Sequence, residues 1–443
     1  MTWKPDSWQS KPVKQMPNYP DQAALDNVLV QLSKLPPLVT SWEIENLKSQ
    51  LAEASEGKRF VLQGGDCSEN FDECESSIIA GKLKILLQMS LLLIQGGRKR
   101  VTRIGRFAGQ YAKPRSSDME TREGVELPSY RGDIVNRIEF TPEARIPNPD
   151  LLLRGYERAA LTLNFIRSLA DGGFADLHHP ENWDLGFVEK SDEAAEYHKQ
   201  IANMSDSVDF VELLTGVRIS DVDRVEFFTG HEGLHLYYEQ AQTRTVPNRE
   251  GWYNLSTHFP WIGDRTRNLD GSHIEYFRGI ENPIGIKVGP SMKPNELTEL
   301  IGILNPKKEP GRITLIHRFG NAKIADHLEP LLQAVEKSGE KVVWVCDPMH
   351  GNTETQGNYK TRDFNNIRGE LEQAFDLHAK VGTYLGGVHF ELTGEDVTEC
   401  TGGARKIDAE ELKRAYKTQV DPRLNYEQAL EIAFLVAKKM PTG

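Results

Sequence analysis

The sequence predicts an α/β fold, a (β/α)8 TIM barrel with an N-terminal extension and inserted helices. Three observations carry that expectation. Eight short apolar runs recur along the chain, several are separated by helix-like stretches, and the runs lead into charged or ligating side chains. Alternating strand and helix patterns imply a parallel sheet. Eight such units close into a barrel whose active residues sit at the C-terminal strand ends.

The runs are 59–62 (RFVL), 103–107 (RIGRF), 225–228 (VEFF), 253–256 (YNLS), 284–288 (IGIKV), 313–316 (ITLI), 342–345 (VVWV) and 385–390 (LGGVHF). Helical patterns fall at 76–95, 150–170, 294–304, 324–338 and 364–381. The interval 109–224 is too long for an ordinary crossover. It is expected to hold one barrel helix plus a helical insertion at about 180–222. Residues 1–50 read as an extension or arm, and residues 51–443 as the barrel. The arm carries Trp3 and Trp8. Burying them would order it against another surface, such as a partner subunit.

Composition narrows the function classes. With 38% hydrophobic and 27% charged residues, the 443-residue chain has a soluble globular balance. A formal net charge of −12 argues against a general nucleic-acid binder. It leaves room for a small anionic substrate held by local cations. No uninterrupted run of about 18 apolar residues predicts a membrane span. The longest apolar stretch, 86–94, reads as a buried helix. The first residues lack the apolar core of a secretory signal. The four cysteines, at 67, 74, 346 and 400, are too few for a disulfide framework, so a reducing, cytoplasmic setting is expected. Cys74, Cys346 and Cys400 read as structural.

The strand ends carry the chemistry. Cys67, His350, Glu391 and Asp421 lie far apart in sequence, each beyond a predicted strand or in the C-terminal segment. Around them stand Arg106, Lys113, Arg115, Arg265, Lys287 and Arg318. Run three leads to His231 and Glu232, run four to His258 and then Asp264, and run eight holds His389 and Glu391 on one face. Arginine suits carboxylate and phosphate because its planar fork makes paired charge-assisted hydrogen bonds. One thiolate, one imidazole and two carboxylates differ from a closed all-cysteine zinc site. They suit a Lewis-acid divalent cation, and ligand softness alone leaves Mn²⁺, Co²⁺, Fe²⁺ and Zn²⁺ open.

At these motifs the sequence resembles the class II 3-deoxy-D-arabino-heptulosonate 7-phosphate (DAHP) synthases. The matching blocks are FVLQGGDCSENF (60–71), GRFAGQYAKPRS (105–116), HFPWIGDRTR (258–267), NPIGIKVGPSM (282–292), LIHRFGNAKI (315–324), WVCDPMHGNT (344–353), GGVHFELTGEDVTEC (386–400) and DPRLNYEQALEIAF (421–434). The resemblance implies a barrel that condenses phosphoenolpyruvate with erythrose 4-phosphate, releases phosphate and opens the shikimate pathway. It implies a divalent metal, Mn²⁺ or Co²⁺ ahead of Zn²⁺ or Fe²⁺, held by Cys67, His350, Glu391 and Asp421. Arg106, Lys287 and Arg318 would hold phosphoenolpyruvate, with Asp264 and Arg265 close by. Lys113, Arg115 and Ser116 would hold the second phosphate. Lys287 and Glu232 are both candidates for proton transfer, His350 and His389 for a proton relay, and His389 equally for a core or supporting role. Many relatives have Cys immediately before the last metal Asp, where this chain has Val420, so no redox link to Cys67 can form there. The resemblance also implies a homo-oligomer, with aromatic amino-acid effectors or a chorismate mutase as further partners. Alternatives are a synthase feeding a secondary pathway such as phenazine or amino-DAHP formation, a simple metal-dependent aldolase, and a non-catalytic regulatory barrel.

Overall fold

A computed structural model describes residues 2–171 and 226–441. Eight parallel strands close into a barrel: β1 (Arg59–Gly65), β2 (Arg100–Arg106), β3 (Phe228–Glu232), β4 (Phe259–Ile262), β5 (Ile284–Val288), β6 (Ile313–His317), β7 (Val343–Cys346) and β8 (Leu385–Glu391). Each strand bonds to its sequence neighbours, and β8 closes onto β1. The register sets Gly65 level with both Arg106 and Glu391. Side chains alternate across a strand. Val61 therefore shares a face with Gln63, Ile104 with Arg106, and Gly387 with His389 and Glu391.

The longer helices are α1 (Gln22–Lys34), α2 (Ser41–Ser55), α3 (Ser76–Gly97), α4 (Asp150–Asp171), α5 (Pro294–Leu304), α6 (Ile324–Ser338), α7 (Phe364–Val381) and α8 (Tyr426–Lys439). Their ends follow local chemistry. Thr40 and Glu43 form a capping box at the start of α2, as do Asn425 and Gln428 at α8. Pro294 opens α5, where its missing N–H is harmless. Gly339 and Gly382 end α6 and α7 in the left-handed conformation. The helix α3 is long and apolar enough to cross a membrane by composition alone. Here it is a barrel helix, with Leu86, Met89 and Leu93 buried in the core that also takes Ile432 and Val436 of α8.

Two expectations need correction. The run at 253–256 is not a barrel strand: Tyr253–Asn254 pairs antiparallel with Thr243–Arg244. The fourth strand is Phe259–Ile262, although it contains Pro260, a residue that central strands disfavour. His258 consequently lies at the N-terminal end of β4, where its Nδ1 accepts from Thr229 N at 3.0 Å. The third strand meets the run expected at 225–228 only at Phe228; the insertion expected at 180–222 lies outside the described residues.

The arm packs on its own barrel. Trp3 Nε1 donates to Glu275 O at 2.8 Å, and buried Trp8 donates to Gln240 Oε1 at 2.9 Å. Further on, α2 closes the N-terminal end of the barrel. Its Leu47, Leu51 and Ala54 form one buried cluster with the inward residues Val61, Ile104, Phe228, Phe259, Ile316 and Val345. Leu51→Ala would leave a cavity there and should lower stability by about 2–5 kcal/mol in chemical denaturation. Because the cavity opens at the end away from the charged residues, Michaelis constants should stay unchanged where the variant is folded.

Candidate active site

A cleft of about 460 Å³ opens at the C-terminal strand ends, inside the usual range of roughly 300–1,000 Å³ for small-molecule sites. Cys67, Arg106, Lys113, Arg115, Ser116, Glu232, Asp264, Arg265, Lys287, Arg318, His350 and Asp421 all line it. Glu391 lies just beneath, fully buried, 3.1 Å from His350 Nε2. The barrel explains the convergence. Arg106, Glu232 and Glu391 are the last residues of their strands, and Lys287 sits one residue before the end of β5. Cys67, Asp264, Arg318 and His350 follow β1, β4, β6 and β7 within a few residues.

Arg106 and Lys287 form the inner half of the cleft. Both reach His389 Nε2: Lys287 Nζ at 3.0 Å, and Arg106 through Nη1. Two cationic donors on one ring nitrogen require it to carry the lone pair. The proton is then on Nδ1, which donates to Gln63 Oε1 at 2.7 Å. Burial, followed by Lys287 and Arg106, holds the His389 pKa well below the usual histidine range. His389 therefore acts as a neutral bracket. Arg106 is fixed further by Asp66 O at 2.9 Å, Cys67 O at 3.2 Å and the face of Trp261 at 5.3 Å. Lys287 also pairs with Asp347. Burial brings its pKa down to about 8, with Asp347 opposing and Arg106 reinforcing the shift.

The four candidate ligands meet as two pairs. Cys67 Sγ lies 3.4 Å from Asp421 Oδ2, and His350 lies against Glu391. Cations sit among them. Lys113 Nζ is 3.0 Å from Cys67 Sγ and 2.7 Å from Asp421 Oδ2, and Arg106 and Arg362 reach Glu391 at 3.1 and 2.7 Å. Burial would raise the Glu391 carboxyl, but His350, Arg362 and Arg106 outweigh it and hold the pKa well below the usual range. Burial and then Glu391 push the Cys67 thiol up, against the pull of Lys113. Among the described residues no three acidic, thiol or imidazole groups are drawn into ligating geometry. The donor set nevertheless fits a divalent cation: one thiol, two carboxylates and an imidazole come to one side of the cleft, and the thiol and one carboxylate already hold an ammonium. A metal would also deprotonate the thiol. The imidazole is oriented for this, since His350 Nδ1 is held by Asp347 Oδ2 at 2.7 Å and Nε2 faces Glu391.

The outer half carries Arg115, Ser116 and Arg265. Arg265 Nη2 donates to Ser116 Oγ at 3.2 Å. Gln15 of the arm clasps the backbone of Arg115, donating to its oxygen at 2.9 Å and accepting from its nitrogen at 2.8 Å. Glu232 lies between the halves. Its Oε1 is buried without a hydrogen-bond partner, and burial raises its pKa despite Lys287, His350, Arg106 and Arg265.

Several contributors were given no role by the sequence reading. Asp347 orients both Lys287 and His350, and its inward position one residue after β7 was an available signal. Lys360, 3.3 Å from Asp421 Oδ1, and Arg362 come from a hairpin, Thr353–Gln356 with Tyr359–Arg362, for which no strand-end rule applies. Gln110 and Trp261 also line the cleft. In contrast, His231 is engaged with Glu239 at 2.7 Å, and Cys346 is core.

A buried network fastens the Cys67 loop to the Asp421 segment. Arg423 Nη1 reaches Asp66 Oδ1 at 2.9 Å, and Nε and Nη2 grip Glu399 at 3.1 and 3.0 Å. Lys82 pairs with the same Asp66. Removing one charge from such a network leaves others unpaired in a dry interior. Arg423→Met should therefore cost about 3–5 kcal/mol of stability, measured by denaturant unfolding.

Comparison with known proteins agrees with this architecture. The profile of the Class-II DAHP synthetase family matches residues 3–437. A Neurospora crassa protein named phospho-2-dehydro-3-deoxyheptonate aldolase is 47% identical, covering 98% of this chain and 94% of that protein. A Streptomyces coelicolor protein of the same name is 45% identical, covering 98% of this chain and 96% of that one. Among solved structures, a phospho-2-dehydro-3-deoxyheptonate aldolase from Francisella tularensis aligns over 97% of this chain and 98% of its own, with a TM-score of 0.52 and 12% identity. That last likeness concerns the fold. The matches over nearly the whole chain, together with a charged cleft at the barrel mouth, place this protein in the class II DAHP synthetase family.

Proposed function

We propose that this cleft joins phosphoenolpyruvate to erythrose 4-phosphate and releases inorganic phosphate. The observation that carries the reading is two sets of cations flanking one candidate metal-ligand cluster in a single cleft. Arg106, Lys287 and Arg318 would hold the carboxylate and phosphate of phosphoenolpyruvate, with Asp264 steering Arg318 from 3.7 Å. Lys113, Arg115, Ser116 and Arg265 would hold the phosphate of the aldehyde. Cys67, His350, Glu391 and Asp421 would hold a divalent metal, for which Mn²⁺ or Co²⁺ is our choice, and the family is generally metal-dependent. When bound, such an ion supplies Lewis-acid polarisation of the aldehyde oxygen.

In this reading C3 of phosphoenolpyruvate bonds to the aldehyde carbon, and the aldehyde oxygen takes up a proton. Water adds to the resulting cation at C2, and the C2–O bond to phosphate then breaks. Arg106 and Lys287, bracketed by His389, keep phosphoenolpyruvate oriented without large rearrangement. The buried Glu232 carboxyl, with one oxygen unpartnered, is suited to take the proton from water; Lys287 is the other candidate. We further propose a cytoplasmic homo-oligomer responsive to aromatic amino acids or to a chorismate mutase, supported by the family resemblance.

Phosphate release should require phosphoenolpyruvate, erythrose 4-phosphate and a divalent ion together. Chelation should abolish it and re-addition restore it. Cys67→Ser and His350→Ala should stay folded but lose that restoration; full recovery in either would remove the residue from the ligand set. Arg318→Ala should raise KM for phosphoenolpyruvate at least about tenfold while moving that for erythrose 4-phosphate little.

A pH test addresses Lys287. Its ammonium, present below a pKa of about 8, is lost as pH rises through that value. The kcat/KM for phosphoenolpyruvate should fall above about pH 8, since this parameter reports free-enzyme groups. Lys287→Arg should carry that limb to higher pH. An unchanged limb in the variant would assign the titration to another group.

A further inference from the structure

The loops after β6 and β7 carry Arg318 and His350, and they are joined through a residue that touches neither. Glu370 on α7 is fully buried. Its Oε1 accepts from Phe319 N at 2.8 Å and Gly320 N at 2.9 Å, the two amides that follow Arg318. Its Oε2 accepts from Asn352 Nδ2 at 2.7 Å, two residues beyond His350. Asn352 extends the tie, donating to Pro348 O at 2.8 Å and accepting from Asn321 N at 2.9 Å.

The loops also touch directly. Gly320 has φ +90°, and a Cβ there would lie 2.5 Å from Gly351 O. Arg318 Nη2 donates to His350 O at 2.9 Å. Among the described residues the hydrogen bonds that hold Glu370 all come from neutral donors. A buried carboxylate with no charged partner is costly, and its hydrogen bonds offset only part of that cost. Burial lifts its pKa to about 7, against the pull of the Gly320 and Phe319 amides.

We propose that Glu370 is a positioning residue that sets Arg318 and His350 as one unit, so that holding phosphoenolpyruvate and holding the metal are coupled. The inference rests on the roles given above to those two residues. Because one carboxylate spans both loops, displacing either loop weakens the tie to the other. Asn352 is the second half of the device.

Glu370→Gln keeps the size but turns an –NH₂ toward the –NH₂ of Asn352. Its expected effects are a KM for phosphoenolpyruvate raised at least about tenfold, a KM for erythrose 4-phosphate within about twofold of the parent, and Mn²⁺ affinity weakened about 10–100-fold. The affinity is measured by calorimetric titration of the protein with Mn²⁺ alone. The double variant Glu370→Gln, Asn352→Asp restores one donor facing one acceptor, though it gives up the bond to Pro348 O, and should recover part of both losses. A residue serving only stability would lower the unfolding midpoint and leave the KM for phosphoenolpyruvate and the Mn²⁺ affinity of the folded fraction unchanged. That result overturns the proposal. If Glu370→Gln does not fold, Asn352→Ala is read by the same criteria. Arg318→Ala separates the two levels of argument: an unchanged KM for phosphoenolpyruvate there would refute the reading of the cleft. A raised KM there beside an unaffected Glu370→Gln would refute only the coupling.

Discussion

Glu391 is a carboxylate with no access to water, and the barrel mouth is organised around compensating it. Placing an isolated charge in such an interior would be prohibitive, on the order of several kcal/mol even after relaxation. Arg106 from β2, Arg362 from the hairpin after β7, and His350 from the loop between them all converge on its two oxygens. This compensation brings together segments almost three hundred residues apart in sequence, since Arg106 and Glu391 are separated by 285 positions. Asp421 adds further negative potential, answered by Lys113 and Lys360. A divalent ion would meet a donor set already selected for positive charge.

The sequence made the frame legible where one local signal ruled. The patterns at 294–304, 324–338 and 364–381 coincide with α5, α6 and α7, because their apolar periodicity and their end signals agree. Strand four was hidden, since Pro260 weakens a strand reading while the neighbouring YNLS run imitates one. The barrel itself survived that error, because the count of alternating units did not change. Candidate site residues were readable for a topological reason. A parallel barrel gathers the ends of its strands, so Cys67, Arg106, Glu232, Lys287, Arg318, His350 and Glu391 could be collected without knowing any contact. Lys113 and Arg115 lie further along the loop after β2 and were collected as cations beyond that strand, while their pairing with Ser116 around a second phosphate came from the family motif.

Other contributions were out of reach. Gln15 lies in an arm whose docking depends on tertiary packing, and no periodicity announces that it will clasp Arg115. Arg362 and Lys360 sit on a hairpin, and their charge alone does not distinguish them from solvated surface residues. Glu370 reads in sequence as one more polar position on an amphipathic helix. Only the fold shows that it faces inward beneath two loops.

The strand pleat separates two tasks along the same elements. Toward the N-terminal end the inward positions are apolar and pack on α2; one pleat repeat further they are Gln63, Arg106, Lys287 and His389. Trp261 marks the boundary. Its ring belongs to the apolar cluster below, while its face supports Arg106 and its edge geometry meets His389 at 5.7 Å. An apolar layer directly under the cations excludes water from beneath them and strengthens their fields above. It also fixes their positions before any anion arrives, because Arg106 is already held by two carbonyls, an imidazole and an indole face. Less ordering then remains to oppose binding, so the rigidity of the lower barrel is converted into orientation at its mouth.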